Sequence, residues 1–455
     1  MRIVADLHVH SPFARACSKD ITLETLVKYA RLKGIDLLGT GDFTHPTWMA
    51  NLKAQLTEDG SGILRGPGGF PFLLQTEVAN IFSQGGRVRK VHNLILAPSF
   101  EVADQVNAFL GTKGSLKSDG RPMLGKMTCA EMVEQLKEIS PEIEIICAHA
   151  WTPWFGVFGS MSGFDSLKEC FQDQTKHIKA IETGLSSNPA MNWRLSQLDS
   201  VNLVSFSDLH SAWPWRLGRE ATILELPKLS YGEVRSAIAD KGSGKLVGTI
   251  ECDPAYGKYH IDGHRACGIS LEPAESRKLG GICPKCNRPL TIGVLARVEQ
   301  LADRAPGYIP KDAPTFHSLI PLTEVIQARL NSASPLAKKV WEQYTALVSI
   351  ARSELDVLLR IPEEELLRLA DARVVQGILT VRSGKLEILP GFDGIYGLPV
   401  FEPADREKPR RFDPEPKPKS PTAAGNARPA DPPAKRRGRP PKPTGQRTLG
   451  AFGKP

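Results

Sequence analysis

No apolar run in the chain approaches the roughly 18–20 residues that a membrane-spanning helix needs, so a helical bilayer span is excluded. A secretory leader is not expected either: Arg2 leads directly into the β-rich run "RIVADLHVH", and a cytoplasmic location follows. Cysteine is sparse. Its eight residues (Cys17, Cys129, Cys147, Cys170, Cys252, Cys267, Cys283 and Cys286) are too scattered in a long chain to read as a disulfide framework. Only the last three lie at ligand-like spacing. Net charge is missing from most of the molecule: residues 1–401 hold 44 Lys/Arg against 44 Asp/Glu. The whole formal excess of +8 sits in residues 402–455, which hold 14 basic and 6 acidic side chains. Such a tail is either a solubilising segment or a nucleic-acid attachment device.

What is present is ordinary for a globular chain: 41% hydrophobic and 24% charged residues over 455 positions, enough for two or three domains with cores of their own. Residues 1–225 contain seven β-rich runs: "RIVADLHVH", "IDLLGTGDF", "PFLLQTEVANIF", "KVHNLILAP", "EIEIICAHAW", "IKAIETGLS" and "VNLVSFSDLH". Between the first two, "TLETLVKYARLKG" places Leu23, Leu26, Val27 and Ala30 at helical spacing, with Gly34 as its stop. Strands alternating with helices predict a largely parallel sheet, open or closed into a barrel. Residues 226–299 read as a Cys/His/Gly-rich zinc-binding module. Residues 300–401 read as a helical domain, in which "SPLAKKVWEQYTALVSIARSELDVLLRI" is one long amphipathic stretch. Residues 402–455, with 13 prolines, read as a tail that cannot bury enough apolar surface to fold alone.

Histidine is scarce too, ten residues in all, yet half of them fall near the ends of the β-rich runs. There they join carboxylates to give His8 and His10, Asp42, Glu77, His92, His149, Glu182, and Asp208 with His210. In α/β proteins, functional groups collect where strands end and loops begin. In a strand, residues i and i+2 share a face, so each His-x-His or Asp-x-His pair presents two groups to one side. A lone His or Asp of this kind is usually a satisfied core residue; the same feature on seven successive strands predicts a metal centre. Imidazole mixed with carboxylate suits Zn²⁺, Mn²⁺ or Fe. Glu182 is either one of these ligands or a supporting carboxylate.

These motifs resemble the PHP (polymerase and histidinol phosphatase) family. "DLHVHS" is similar to its first motif, His-x-His, and "SDLHS" to its last, Asp-x-His. The resemblance implies a distorted seven-stranded βα barrel that holds two or three divalent metals (Zn²⁺, Mn²⁺ or Mg²⁺). The family's second motif usually reads Thr-Asp-His. Here "TGDF" leaves Asp42 or His45 as the second-strand ligand, and Asp20 is the nearest carboxylate after the first pair, where the family has an Asp. The implied metal ligands are His8, His10, Asp42, Glu77, His92, His149, Asp208 and His210, with Asp208, His8, His10, Glu77 and His210 as the catalytic set. Paired metals clamp a phosphate and stabilise both attacking and leaving oxygens, which is phosphoester hydrolysis. The family divides between small-molecule phosphatases and nucleases.

A second metal site is read from spacing alone. His264-x2-Cys267 is followed after fifteen residues by Cys283-x2-Cys286, the pattern of a closed tetrahedral structural Zn²⁺ site. His260 and Cys252 are alternatives to His264. In the tail, "KRRGRPPKP" (435–443) resembles an AT-hook: Gly438 lets the backbone lie deep in a minor groove, Pro440 keeps it extended, and Arg437 and Arg439 reach along the A·T floor. "QRTLGAF" then places Gln446, Leu449 and Phe452 at the spacing of sliding-clamp-binding peptides (446–453), with Gly453 where a second aromatic usually stands.

Longer segments, among them "GTGDFTHP", "AIETGLSSNPAMNWRLSQLD", "GKYHIDGHRACG" and "CPKCNRPLTIGVLARVEQLADR", are similar to the DNA-repair endonucleases of the PHP family. That resemblance implies cleavage 5′ of deaminated bases (uracil, hypoxanthine, xanthine) or abasic sites, leaving a 3′-hydroxyl and a 5′-phosphate. The implied partners are damaged DNA and the sliding clamp, with no membrane. A base acted on this way is extruded into a pocket, for which Trp151, Trp154, Ser186, Asn188, Trp193 and Trp213 are the candidates. The alternatives are a small-molecule phosphatase and a non-catalytic damage-binding protein tethered to the clamp.

Overall fold

A computed structural model describes residues 1–410; the AT-hook-like and clamp-binding motifs lie outside the described residues. Each of the seven β-rich runs contributes a strand: β1 (Arg2–Asp6), β2 (Leu37–Gly39), β3 (Pro71–Gln84), β4 (Arg87–Ala97), β5 (Glu144–Cys147), β6 (Ala180–Glu182) and β7 (Asn202–Val204). Three more join them, β8 (Ala221–Glu225), β9 (Leu246–Cys252) and β10 (Thr315–Leu319). The main path runs β7-β6-β5-β4-β3-β2-β1-β8-β9-β10, so the sheet is a curled, mixed ten-strand path rather than seven strands. Residues 246–252 and 315–319 carry it past the first 225 residues. β1, β2 and β3 are mutually parallel. β3 and β4 form a long antiparallel hairpin, whose turn needs the positive φ of Gly85 and Gly86 (60° and 73°).

The expected helix after β1 is α1 (Leu23–Lys33). Thr22 caps its first turn, and Gly34 ends it in the left-handed region at φ 95°. Leu23, Leu26, Val27 and Ala30 are all buried. The long amphipathic stretch near residue 340 is two helices, not one: Lys338–Ile350 and Glu354–Leu359. Ser353 divides them, its hydroxyl accepting from the Asp356 N–H at 3.2 Å, an N-cap that outweighs the continuous apolar periodicity. Among the described residues no helix is long and apolar enough to cross a membrane.

One face of the sheet packs Ile3, Ala5, Leu7, Leu94, Ile146, Val204 and Phe206 against the helix Tyr231–Ala239. The other face supports α1 and the remaining helices. β7 and β8 are not joined by a ladder. Side chains bridge them instead: Thr222 Oγ1 accepts from the Ser205 N–H (3.0 Å) and donates to the Ser205 carbonyl (2.9 Å); beside them Thr183, just after β6, donates from Oγ1 to Glu251 on β9 (2.9 Å). Just beyond, Leu209 N–H donates to the His8 carbonyl. This seam sets the Asp208–His210 segment beside His8–His10.

The seam buries two carboxyls, Glu220 and Glu251. Burial pushes Glu251 up to about 8 and, together with the Glu251 charge, raises Glu220 well above its ordinary value. A carboxyl with a raised folded value stabilises the fold while protonated. That contribution is complete below the ordinary value of 4.5 and is lost as pH rises through about 8. Glu251→Gln should therefore flatten the decline in melting temperature between about pH 5 and pH 8, as followed by circular dichroism.

Candidate metal centre

Glu77, fully buried on β3, is the hub. Its Oε1 lies 2.8 Å from His92 Nδ1, 3.1 Å from His149 Nε2 and 3.7 Å from His8 Nε2. Its Oε2 lies 3.4 Å from His10 Nε2 and 3.0 Å from Arg121 Nη1. Asp208 closes the opposite side, with Oδ1 3.1 Å from His10 Nε2, 3.5 Å from His8 Nε2 and 3.6 Å from His210 Nδ1. Ligand atoms thus gather in three overlapping sets, His8–His10–Glu77, His10–Asp208–His210 and Glu77–His92–His149, each with its atoms within 4.8 Å. Glu77 belongs to two sets, and so does His10.

The strand-end loops carry the backbone conformations that this convergence demands. Asp42, His149 and Asp208, which follow β2, β5 and β7, sit in the left-handed region at φ 34°, 28° and 46°. Non-glycine residues adopt such values at a cost and persist in them where surrounding structure enforces them, most often at functional sites.

A layer of carboxylates behind the centre aims the imidazoles. Glu182 accepts from His8 Nδ1 (3.0 and 3.1 Å) and from the His149 backbone N–H (2.6 Å). Asp42 faces His10 Nδ1 at 2.9 Å and accepts from both Ser11 N–H and Ser11 Oγ at 2.6 Å. Both rings therefore turn Nε2 to the centre. Asp42, expected among the ligands, instead belongs to this outer layer, because its two oxygens are taken by His10 and Ser11. His45 is no ligand either. It opens the helix Pro46–Gln55, and its ring stacks on Phe13 at 4.3 Å. Asp20 is exposed and bonds Ser18. Asp42→Ala should weaken barrel-metal affinity or activity by about 10–100-fold, measured by metal titration, with the structural zinc retained.

The donors fit divalent cations. Burial would raise Glu77, but the positive charges facing it, Arg121 and His8 among them, outweigh it and hold Glu77 well below the usual carboxylate range. Burial would lower His8 and His10, yet the carboxylates Glu182, Asp208 and Glu77 around His8, and Asp42 with Asp208 and Glu77 around His10, raise both well above the imidazole norm. Carboxylates that draw protons onto imidazoles will exchange those protons for a cation. His92 is pushed down to about 3, chiefly by burial, and is already the neutral form that ligates. His8 Nε2 is buried and has no hydrogen bond. A mixed N/O set of this kind suits Zn²⁺, Mn²⁺ or Fe.

The second cluster gathers His264, Cys267, Cys283 and Cys286, their ligand atoms within 4.8 Å. The hairpin Asp262–His264/Ile269–Leu271 supplies the first two, and Cys286 Sγ lies 3.3 Å from His264 Nδ1. Neither spare joins it: Cys252 is buried on β9 with its thiol on the Arg219 carbonyl (3.7 Å), and His260 stands outside the set. One His/Cys knuckle and one Cys/Cys knuckle at this spacing fit one tetrahedral zinc ion.

The architecture has close counterparts of known structure. The lesion-specific endonuclease of Pyrococcus furiosus superimposes with a TM-score of 0.79 at 31% identity, over 90% of this chain and 98% of that one. An endonuclease Q complexed with a 27-mer duplex bearing an abasic lesion at its active site gives the same values. The chain belongs to the endonuclease Q family. An uncharacterized protein of Bacillus subtilis is 28% identical across 87% of this chain and 98% of its own length. Another, from Methanocaldococcus jannaschii, is 30% identical across 56% of this chain, which spans only 32% of that longer protein. The MJ0043 C-terminal domain model matches residues 321–385, the helical segment after β10.

The six base-pocket candidates meet different partners. Trp151 is fully buried and donates to Asn192 Oδ1 (2.8 Å), a core role. Asn188 caps the turn Pro189–Asn192 through the Met191 N–H. Trp213 stacks on Trp215 at 5.2 Å, Trp193 meets Phe316, and Trp154 meets Tyr259. Ser186 is buried. Arg121 is the group that pattern reading missed: it lies in no β-rich run and no motif.

Proposed function

We propose that this chain is a metal-dependent DNA-repair endonuclease that cuts the phosphodiester bond 5′ of uracil, hypoxanthine, xanthine or an abasic site, leaving a 3′-hydroxyl and a 5′-phosphate. The observation that carries this reading is the convergence of three overlapping ligand sets on Glu77 and Asp208, in a fold shared with an endonuclease seen holding lesion-bearing duplex DNA. His8, His10, Glu77, His92, His149, Asp208 and His210 would hold divalent ions, which when bound would polarise the phosphodiester as Lewis acids and offset the charge that develops on it. The chain's own part is placement. Glu182 and Asp42 fix the tautomers of His8 and His10, Glu77 spans two of the sets, and Asp208, with a quarter of its side chain exposed (24%), marks the open side. A structural zinc at His264, Cys267, Cys283 and Cys286 holds the small module. The basic tail adds minor-groove binding through 435–443 and attachment to the sliding clamp through 446–453.

The test is a labelled duplex carrying one deoxyuridine, deoxyinosine or abasic site, incubated with protein and Mn²⁺ or Zn²⁺. A single nick immediately 5′ of the lesion, absent from the undamaged duplex, is expected. Intact lesion duplexes alongside rapid hydrolysis of a small phosphomonoester would overturn the reading in favour of a phosphatase.

A further inference from the structure

A buried and a half-buried arginine elsewhere in this chain show what a structural guanidinium looks like. Arg297 spends every arm: Nε donates to the Phe158 carbonyl, Nη1 to Gln300, and Nη2 to the Phe164 carbonyl and Asp165. Arg382 likewise donates to the Leu358, Ile361 and Val357 carbonyls. Arg121 differs. Among the described residues its guanidinium makes one hydrogen bond, Nη1 to Glu77 Oε2 at 3.0 Å. Some 21% of its side chain remains exposed. None of its remaining donors is among the buried side-chain atoms that lack a partner.

The loop that delivers Arg121 is pinned. The strand Met123–Gly125 pairs parallel to β3 with Met123 opposite Ala79, a register that sets Arg121 beside Glu77. Asp119 Oδ1 accepts from the Arg15 and Arg121 backbone N–H groups at 3.0 and 3.1 Å. Gly120 N–H donates to the Phe13 carbonyl (3.2 Å), and Thr44 Oγ1 donates to the Gly120 carbonyl (3.1 Å). A Cβ on Gly120 would collide with Asp42 Oδ2, so the loop lies flush against the carboxylate that aims His10. With part of its side chain exposed, the guanidinium can exchange solvent for an anion.

We propose that Arg121 is the anion-binding residue of this centre, presenting its free guanidinium donors to a non-bridging oxygen of the phosphodiester that is cut. A planar fork with spare donors on a rigid loop is suited to phosphate. The proposal rests on the nuclease reading above and adds the residue that grips the scissile group.

The test is a double-mutant cycle read as binding. All proteins carry Asp208→Asn to prevent cutting, and their zinc and barrel-metal contents are first shown by elemental analysis to match. Fluorescence anisotropy then compares an abasic-analogue duplex with the same duplex bearing an uncharged methylphosphonate 5′ of the lesion. With Arg121 intact, the methylphosphonate should weaken binding about 10-fold; with Arg121→Ala, binding should already be about 10-fold weaker and the methylphosphonate should add little, as expected for one charged contact. Arg121→Lys, which keeps the charge, should fall between. Equal sensitivity to the methylphosphonate with and without Arg121 would overturn the proposal. If the intact chain fails to bind the lesion duplex at all, the nuclease reading falls. Inorganic phosphate then decides the residue separately: a thermal shift present with Arg121 and absent in Arg121→Ala sustains it, and equal shifts refute it.

Discussion

Asp208→Asn should abolish nicking of a lesion duplex while the protein still folds and still binds it. Asp208 Oδ1 lies within 3.1–3.6 Å of nitrogens on His10, His8 and His210, and these charges outweigh burial to hold its carboxyl well below the ordinary range. The amide keeps the shape and removes the charge that retains a cation at the open side. Losing several kcal/mol of transition-state charge stabilisation corresponds to a rate on the order of 10³-fold lower. Single-turnover nicking and anisotropy measure the two halves. A variant that nicks at the parent rate would show that Asp208 has no part in the chemistry.

Cys283→Ser is expected to have the largest structural effect. The thiol is buried, and the segment around it has little else to hold it: short hairpin pairs between 262–264 and 269–271 and single bridges such as Ile282–Pro289. Zinc contributes on the order of 10 kcal/mol to isolated modules of this type, far more than such contacts provide. The variant should lose its structural zinc and become sensitive to trypsin within residues 258–288, whose Lys and Arg residues include Lys258, Arg265, Lys278 and Lys285. β1 through β7 should melt near the parent temperature. Zinc retained at one ion per module, with unchanged proteolysis, would contradict the assignment.

Much of this centre was legible before any coordinates, because its signal is local. Each ligand follows a run of β-branched and aliphatic residues, and the two-residue period of a strand pairs His8 with His10. Three things were not legible. The division of labour between ligand and supporting carboxylate depends on which oxygen meets which nitrogen, so Asp42 and the ligands look alike in sequence. Strands β9 and β10 come from segments dominated by other signals, cysteine spacing and helical periodicity, and only tertiary pairing reveals them. Arg121 is placed by a three-residue strand whose partner lies more than forty positions upstream, a relation with no period to detect. The Ser353 cap, by contrast, was readable: Ser353-x-x-Asp356 within an apolar helical pattern is a start signal.

The sharing of Glu77 between two ligand sets is the most direct handle on the account. Elemental analysis of the purified protein should find more than one divalent ion per chain beyond the structural zinc. Glu77→Ala alone should remove more than one of them and leave the zinc in place. A protein that carries only the structural zinc, and that nicks lesion duplexes undiminished after the barrel has been stripped of metal, would contradict it.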